Sequence, residues 1–265
     1  MLGRLAEDVG VWQAWALVSI GAAAFLFARY ALLVYGFQWA FIARRGAGRF
    51  AARRLNLSPK PRRADQTRRE LLMATTTSLV FGASTAVLLW AWEGGHLLIY
   101  LDPLAYPAWW LPGSLLAGML LHETYYYWLH RAMHHPHIYP WLHRGHHDSV
   151  VTSAWTSFAF DAGEAVLQAA IIPVILLFVP MHAAVLVLWL TLMTVSAIVN
   201  HLGVEVYPRG FYRHWLGRQL IGATHHGLHH TRFTRNYGLY FTFWDRWMGT
   251  EAEETLREFE RATGG

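Results

Sequence analysis

Long uncharged stretches set the pattern of this chain. Residues 9–28 carry no charged side chain, Arg29 interrupts, and residues 30–43 continue apolar. A helix needs roughly 20 apolar residues to cross the ~30 Å hydrocarbon layer, so residues 9–28 predict one span. A straight helix over the whole run would be too long, which predicts a tilt, or a bend near Gly36 into an interfacial segment. Residues 71–92 predict a second span, and a short outer connection follows, from Glu93 to Pro107. Trp109 and Trp110 at one end, and Tyr125, Tyr126, Tyr127 and Trp128 at the other, mark the two interfaces of a third. Residues 165–200 are uncharged apart from His182, and Pro180 splits them into halves slightly short for a full crossing. A helical hairpin and a re-entrant pair both fit. The expected fold is an all-α integral membrane protein with four to five transmembrane helices and a cytoplasmic helical cap.

Composition agrees with the pattern. Of 265 residues 54% are hydrophobic and 15% charged, and fourteen are Trp. The net charge of +5 is unevenly placed: residues 44–69 hold ten of the twenty-two basic side chains, from Arg44 and Arg45 through Lys60 to Arg68 and Arg69. Basic residues beside apolar spans answer to membrane topology and anionic headgroups rather than to nucleic acid. They predict a cytoplasmic loop, with a docking patch for an acidic redox partner as a compatible second use. Arg4 stands against Glu7 and Asp8, so no basic leader precedes the first apolar run and no cleaved signal peptide is expected. The N-terminus is then outside and the end of the third span cytoplasmic, in a bacterial inner membrane or one like the endoplasmic reticulum. Three regions follow: residues 1–70, an N-terminal span and basic loop; residues 71–250, a membrane catalytic domain; and residues 251–265, a charged tail that reads as helical over 251–261. Residues 148–161 are expected to return along the membrane surface.

Candidate chemistry begins where the third span ends. His130 and His134 stand four apart, followed by H-x-x-H-H at His143, His146 and His147, and the same pattern recurs at His226, His229 and His230. Positions four apart on a helix differ by about 40° around the axis and about 6 Å along it, so their rings share a face. With His201 at the end of the last apolar run, nine histidines stand at ligand spacing. There is no cysteine, which excludes disulfides and thiolate metal sites. One tetrahedral ion needs at most four ligands, so nine imidazoles argue for two metals. Neutral ligands leave that charge uncompensated, which calls for a bridging oxygen species and nearby carboxylates. Asp148, Glu164, Asp161, Glu123 and Asp245 are the candidates in sequence. An all-histidine dinuclear site at a bilayer edge suits dioxygen activation on a lipid.

The motifs H-R-x-x-H, P-x-x-x-x-x-H-x-x-H-H, N-H-x-G and H-H-x-x-H-H, with Asn236-Tyr237-Gly238 and Trp244-Asp245-Arg246 after them, resemble the fatty acid hydroxylase/sterol desaturase superfamily over residues 115–250. The resemblance implies a membrane di-iron enzyme that hydroxylates or desaturates a lipid, sterol or carotenoid-like substrate. It further implies two iron ions, with zinc as a substitute in purified protein, O2, and NAD(P)H-derived electrons. No cytochrome-like donor domain is expected within 265 residues beside the spans, so the donor would be a separate redox protein. Carried over by position, the ligands are His130, His134, His143, His146, His147, His201, His226, His229 and His230. Glu164 sits where many members carry a carboxylate, although Asp161-Ala162-Gly163 replaces the usual run before it.

Around the ligands, Glu164, Asp148, Asn236 and His225 are expected to support them. Asn236 is read as orienting the third histidine box through a turn hydrogen bond, or as a weak ligand. His225 is a tenth ligand or a donor behind the ligands, and His122 is an intramembrane ionisable group. His96, His182 and His214 read as non-functional, and His135 and His137 as surface residues or as supports behind the ligands. The rival from another class is a histidine-rich metal transporter or sensor. Transporters place ligands at the bilayer midplane on broken helices, whereas these boxes fall past the span ends. A b-type haem would need only two axial histidines.

Overall fold

The computed structural model describes residues 2–43, 48–58 and 61–264; Arg44, Arg45, Pro59 and Lys60 of the basic stretch lie outside the described residues. In chain order the helices are α1 (Leu2–Val9), α2 (Val11–Gln38, continued by a π-turn over Trp39–Ala43), α3 (Gly48–Ala51), α4 (Gln66–Glu93) and α5 (Trp110–Met133). The short α6 (Tyr139–Leu142) and α7 (Arg144–His147), and a 3-10 turn over Ala154–Phe158, precede α8 (Ala162–Leu176) and α9 (Ala183–His201). Then come α10 (Ala223–Arg232), α11 (Phe243–Trp247) and α12 (Thr255–Thr263). Two-residue strands β1 (Ile99–Tyr100) and β2 (Met181–His182) pair in parallel, Ile99 opposite Met181.

Three helical stretches among the described residues are long and apolar enough to cross a membrane: Val11–Ala43, Gln66–Glu93 and Ala183–His201. α5 has the length, but its second half carries His122, Glu123 and three tyrosines, and α8 stops at fifteen residues. The α2 helix runs on to Gln38 and the change of geometry comes only in the π-turn. α2 and α4 approach closely through small residues. A Cβ on Gly82 would lie 2.3 Å from the Ser19 carbonyl oxygen and 2.8 Å from the Ala23 methyl, so only glycine permits the contact.

The two ends of the bundle differ. At one end the Leu2 amide donates to Glu93, the Leu98 amide donates to the Leu176 carbonyl, β1 pairs with β2, and the Trp110 indole donates to the Pro180 carbonyl. The α8–α9 hairpin turns here, around Pro180. All the histidine boxes gather at the opposite end. There residues 148–161 depart from expectation: the Ala154–Phe158 turn is buried against α2, α4 and α9 rather than lying on a surface. Tyr30 stacks on Phe158 at 4.5 Å and its hydroxyl donates to the Trp155 carbonyl, while buried Glu70 accepts from Gln66, Thr156 and Ser153. Polar residues of this stretch are the partners of one buried carboxylate. The tail is helical as α12, and Phe259 anchors it, fully buried and stacked on Tyr212 at 4.2 Å.

Candidate metal centre

Four pieces of chain deliver the histidines. α5 ends with His130 inside its last turn and His134 at its C-cap; α7 carries His146 and His147 with His143 just before it; α9 ends in His201; and α10 presents His226, His229 and His230. Eight of these nine rings are buried, and His134 is half-buried. They fall into two adjacent sets. His130, His134, His143, His147 and His229 bring one nitrogen each to within 4.8 Å of one another, and His146, His201, His226 and His230 do the same. The sets meet where the His147 and His230 rings lie 4.6 Å apart.

Hydrogen bonds fix which nitrogen faces inward. Nδ1 of His130 donates to the Tyr237 carbonyl at 2.7 Å, His201 to Ala197 at 2.7 Å, His229 to Arg235 at 2.7 Å and His146 to Ala159 at 3.2 Å. A carbonyl only accepts, so in these neutral rings Nδ1 holds the proton and Nε2 presents a lone pair. The Nε2 atoms face one another: His130 to His143 at 3.0 Å, His147 to His229 at 3.0 Å, His134 to His229 at 3.2 Å, and His201 to His226, His230 and His146 at 3.0, 3.2 and 3.3 Å. Where both rings hold their proton on Nδ1, as His146 and His201 do, lone pairs this close repel unless a cation lies between them. Donors roughly 2.1 Å from one ion, at octahedral or tetrahedral angles, stand about 3.0–3.4 Å apart, which is the spacing found. The residues fit metal ions.

Burial, reinforced by the neighbouring imidazoles, holds His143, His146, His147, His226, His229 and His230 well below the usual histidine range. They are therefore neutral at pH 7, the form that ligates.

Of the expected supporting groups, Glu164 is fully buried and accepts from His143 Nδ1 at 2.8 Å and from Gln168 at 2.8 Å. Asn236, also buried, donates to the His225 carbonyl at 2.8 Å and accepts from the Ala252 amide at 2.7 Å, which ties the first turn of α10 to the loop beyond it. It holds this place with φ at 61° and reaches none of the nine rings. Asp148 is not brought to a histidine. It caps the C-terminus of α7 half-exposed, with Arg69 at 3.5 Å, because one step past His147 turns its side chain about 100° away. His225 is buried but joins neither set; its ring nitrogens have no hydrogen-bond partner, and Asp245 is 3.9 Å away. His122 packs among Tyr126, Trp189 and Tyr240, also outside both sets. Asp161 receives the Gly145 amide, Asp245 the Tyr237 and Gly238 amides, and Glu123 the Leu239 and Tyr240 amides. These carboxylates position backbone.

Two positioning residues escaped sequence reasoning. Arg69, from the basic stretch, donates to the Gly145 carbonyl at 2.6 Å and to Ser149 at 2.8 Å, clamping α7 from both sides. Glu205 is fully buried and accepts from the Thr224 amide at 2.9 Å and its hydroxyl at 2.7 Å, a carboxylate at the N-terminus of α10. Nothing in the spacing of either marks it.

The arrangement is that of a helical protein with membrane-length helices and a polyhistidine metal site closing one end of its bundle. The chain belongs to the fatty acid hydroxylase family, whose model matches residues 115–250. Among relatives, a Delta(7)-sterol 5(6)-desaturase of Gibberella zeae is 31% identical over 59% of this chain and 47% of its own length. A methylsterol monooxygenase of Aspergillus fumigatus is 34% identical over 57% of the chain and 51% of its own length. The lathosterol oxidase of Rattus norvegicus is 31% identical over 70% and 61%. The chain thus spans about half the length of the relatives it matches. No solved structure matches it.

Proposed function

We propose that this protein is a membrane-bound di-iron oxygenase that uses O2 and electrons from a separate redox protein to hydroxylate, or desaturate, a C–H bond of a lipid. The observation that carries the reading is the convergence of nine imidazole nitrogens in two adjacent sets at the end of a bundle containing membrane-length helices. Two irons, held by His130, His134, His143, His147 and His229 and by His146, His201, His226 and His230, would supply the O2 and one-electron chemistry that side chains lack. The chain's own part is to hold those rings in one tautomer through the carbonyls of Tyr237, Ala159, Ala197 and Arg235 and through Glu164. Burial excludes water and keeps the ligands neutral. The relatives named for sterol desaturation and monooxygenation support oxidation of a lipid, with sterols and carotenoid-like molecules as further substrate types.

In this reading α5 and the α8–α9 hairpin complete four to five spans, the histidine end faces the cytoplasm, and the N-terminus lies outside in a bacterial inner or endoplasmic-reticulum-like membrane. Residues 1–70, 71–250 and 251–265 then serve as anchor with basic loop, catalytic domain and tail. The test is 18O2 labelling with lipid analysis of a deletion strain complemented by wild type or by His146→Ala. Label in a lipid with wild type alone upholds hydroxylation, and double bonds lost with the variant uphold desaturation. No lipid difference, together with exchangeable zinc in place of about two tightly held irons per chain, would return the protein to the class of metal transporters or sensors.

A further inference from the structure

A largely apolar cavity lies between α2, α4, α8 and α9, with Met193 in its wall; Arg29 and Gln168 are its polar members besides Ser84 and Thr85, whose hydroxyls donate to carbonyls of their own helix. Leu26, Leu88 and Gln168 are only half-buried, so the cavity is reached from the flank of the bundle, where lipid would lie. Both walls lead to the histidines. Phe158, which lines the cavity, stands 6.3 Å from Phe160, and Phe160 stands 5.5 Å from His146. On the other wall Gln168 donates to Glu164, the carboxylate bonded to His143.

Arg29 is a cation within a membrane-length helix, a position where charge is costly without a partner. It does not turn out toward a headgroup layer; it reaches across to α9, where its terminal nitrogens donate to Thr194 at 2.8 Å and Thr191 at 3.5 Å. Both acceptors are neutral. Its Nε is buried with no hydrogen-bond partner. A guanidinium offers its Nε and one terminal nitrogen as a fork that fits the two oxygens of a carboxylate. The neutral hydroxyl of a sterol would leave the charge unmatched, and a phosphodiester headgroup would bring more polar surface than these walls can bond.

We infer that this cavity takes an open-chain lipid by its ionised carboxylate, which Arg29 binds, with the chain laid along Phe158 toward the metal centre. The inference rests on the lipid-oxygenase reading and narrows it to an acidic substrate. Arg29 is thereby a specificity-determining residue.

The test is equilibrium binding of a long-chain fatty acid and of its methyl ester to the full-length protein in detergent. It compares wild type with Arg29→Met, Arg29→Lys and Met193→Trp, and repeats the wild-type measurement on His146→Ala. Wild type and His146→Ala should both prefer the acid by roughly tenfold or more, the value of a charge-assisted hydrogen bond. Arg29→Met should bind acid and ester alike, Arg29→Lys should keep part of the preference, and Met193→Trp, which fills the cavity, should weaken both ligands. Equal binding of acid and ester by wild type, or a preference surviving in Arg29→Met, overturns the inference. If Arg29→Met does not fold, acid binding undiminished in Met193→Trp overturns it equally. Because the readout needs no turnover, a preference in a protein that oxidises no lipid upholds the acid site and counts against the oxygenase reading alone.

Discussion

Glu164→Ala is the sharpest probe of the metal centre. Glu164 is buried, accepts from His143 Nδ1 at 2.8 Å, and is itself fixed by Gln168 at 2.8 Å. Removing it leaves the His143 ring free to rotate and deprives its proton of an acceptor, while the carbonyl bonds of His130, His146, His201 and His229 stay in place. Loss of such a partner costs about 10–100-fold in metal affinity, or about 1.4–2.7 kcal/mol. His143 belongs to the five-histidine set only. Chelator competition on purified protein should therefore weaken one of two ions selectively, so that metal content falls toward one per chain before it falls further. Glu164→Gln keeps an oxygen for His143 but not the charge, and should lie between Ala and wild type. Asp148→Ala, although it abuts the second box in sequence, should leave both ions in place. Unchanged affinity in Glu164→Ala, or equal weakening of both ions, would refute the idea that this carboxylate orients a ligand.

Further expectations follow from burial and packing. The histidines outside the spans are held below the usual range, so as pH falls below that range the unfolded chain binds protons the folded chain does not. Stability of the metal-free protein should be flat above about pH 6.5 and should fall as pH drops below it, by up to about 1.4 kcal/mol per pH unit for each such group; thermal unfolding against pH reads this, and a rise in stability on acidification would contradict it. Gly82→Leu drives a side chain into the Ser19 carbonyl across the α2–α4 contact and should cost at least ~1–3 kcal/mol, seen as a lowered unfolding temperature in detergent. Asn236→Ala removes three buried hydrogen bonds and should cost about 1–3 kcal/mol, with ions lost from both sets because α10 serves each; metal retention equal to wild type would count against it.

Much of the site was legible because imidazole spacing is a property of residue types. His130 and His134, and His143 with His147, declare a shared face from numbering alone. What orients them was not legible. The acceptors at Tyr237, Ala197, Arg235 and Ala159 are backbone carbonyls, which every residue possesses. Glu164 and Asp148 illustrate the limit from the other side. The one twenty-one residues from its histidine reaches it, and the immediate neighbour faces away. In the fold, the apolar runs located the membrane-length helices, whereas nothing in the spacing of Thr156 and Ser153 marks them as the company of buried Glu70.

The rings that close this end of the bundle are spread along a hundred residues, and the membrane hairpin of α8 and α9 is threaded between the second box and the third. α10 has little greasy surface of its own, Leu228 aside, and is held by Glu205, Asn236 and the rings it presents. During synthesis α8 and α9 are made before the last donors exist. Neither histidine set is complete until α10 has been added, and a chain truncated before His226 would keep both hairpin helices yet lack the donors that close each set.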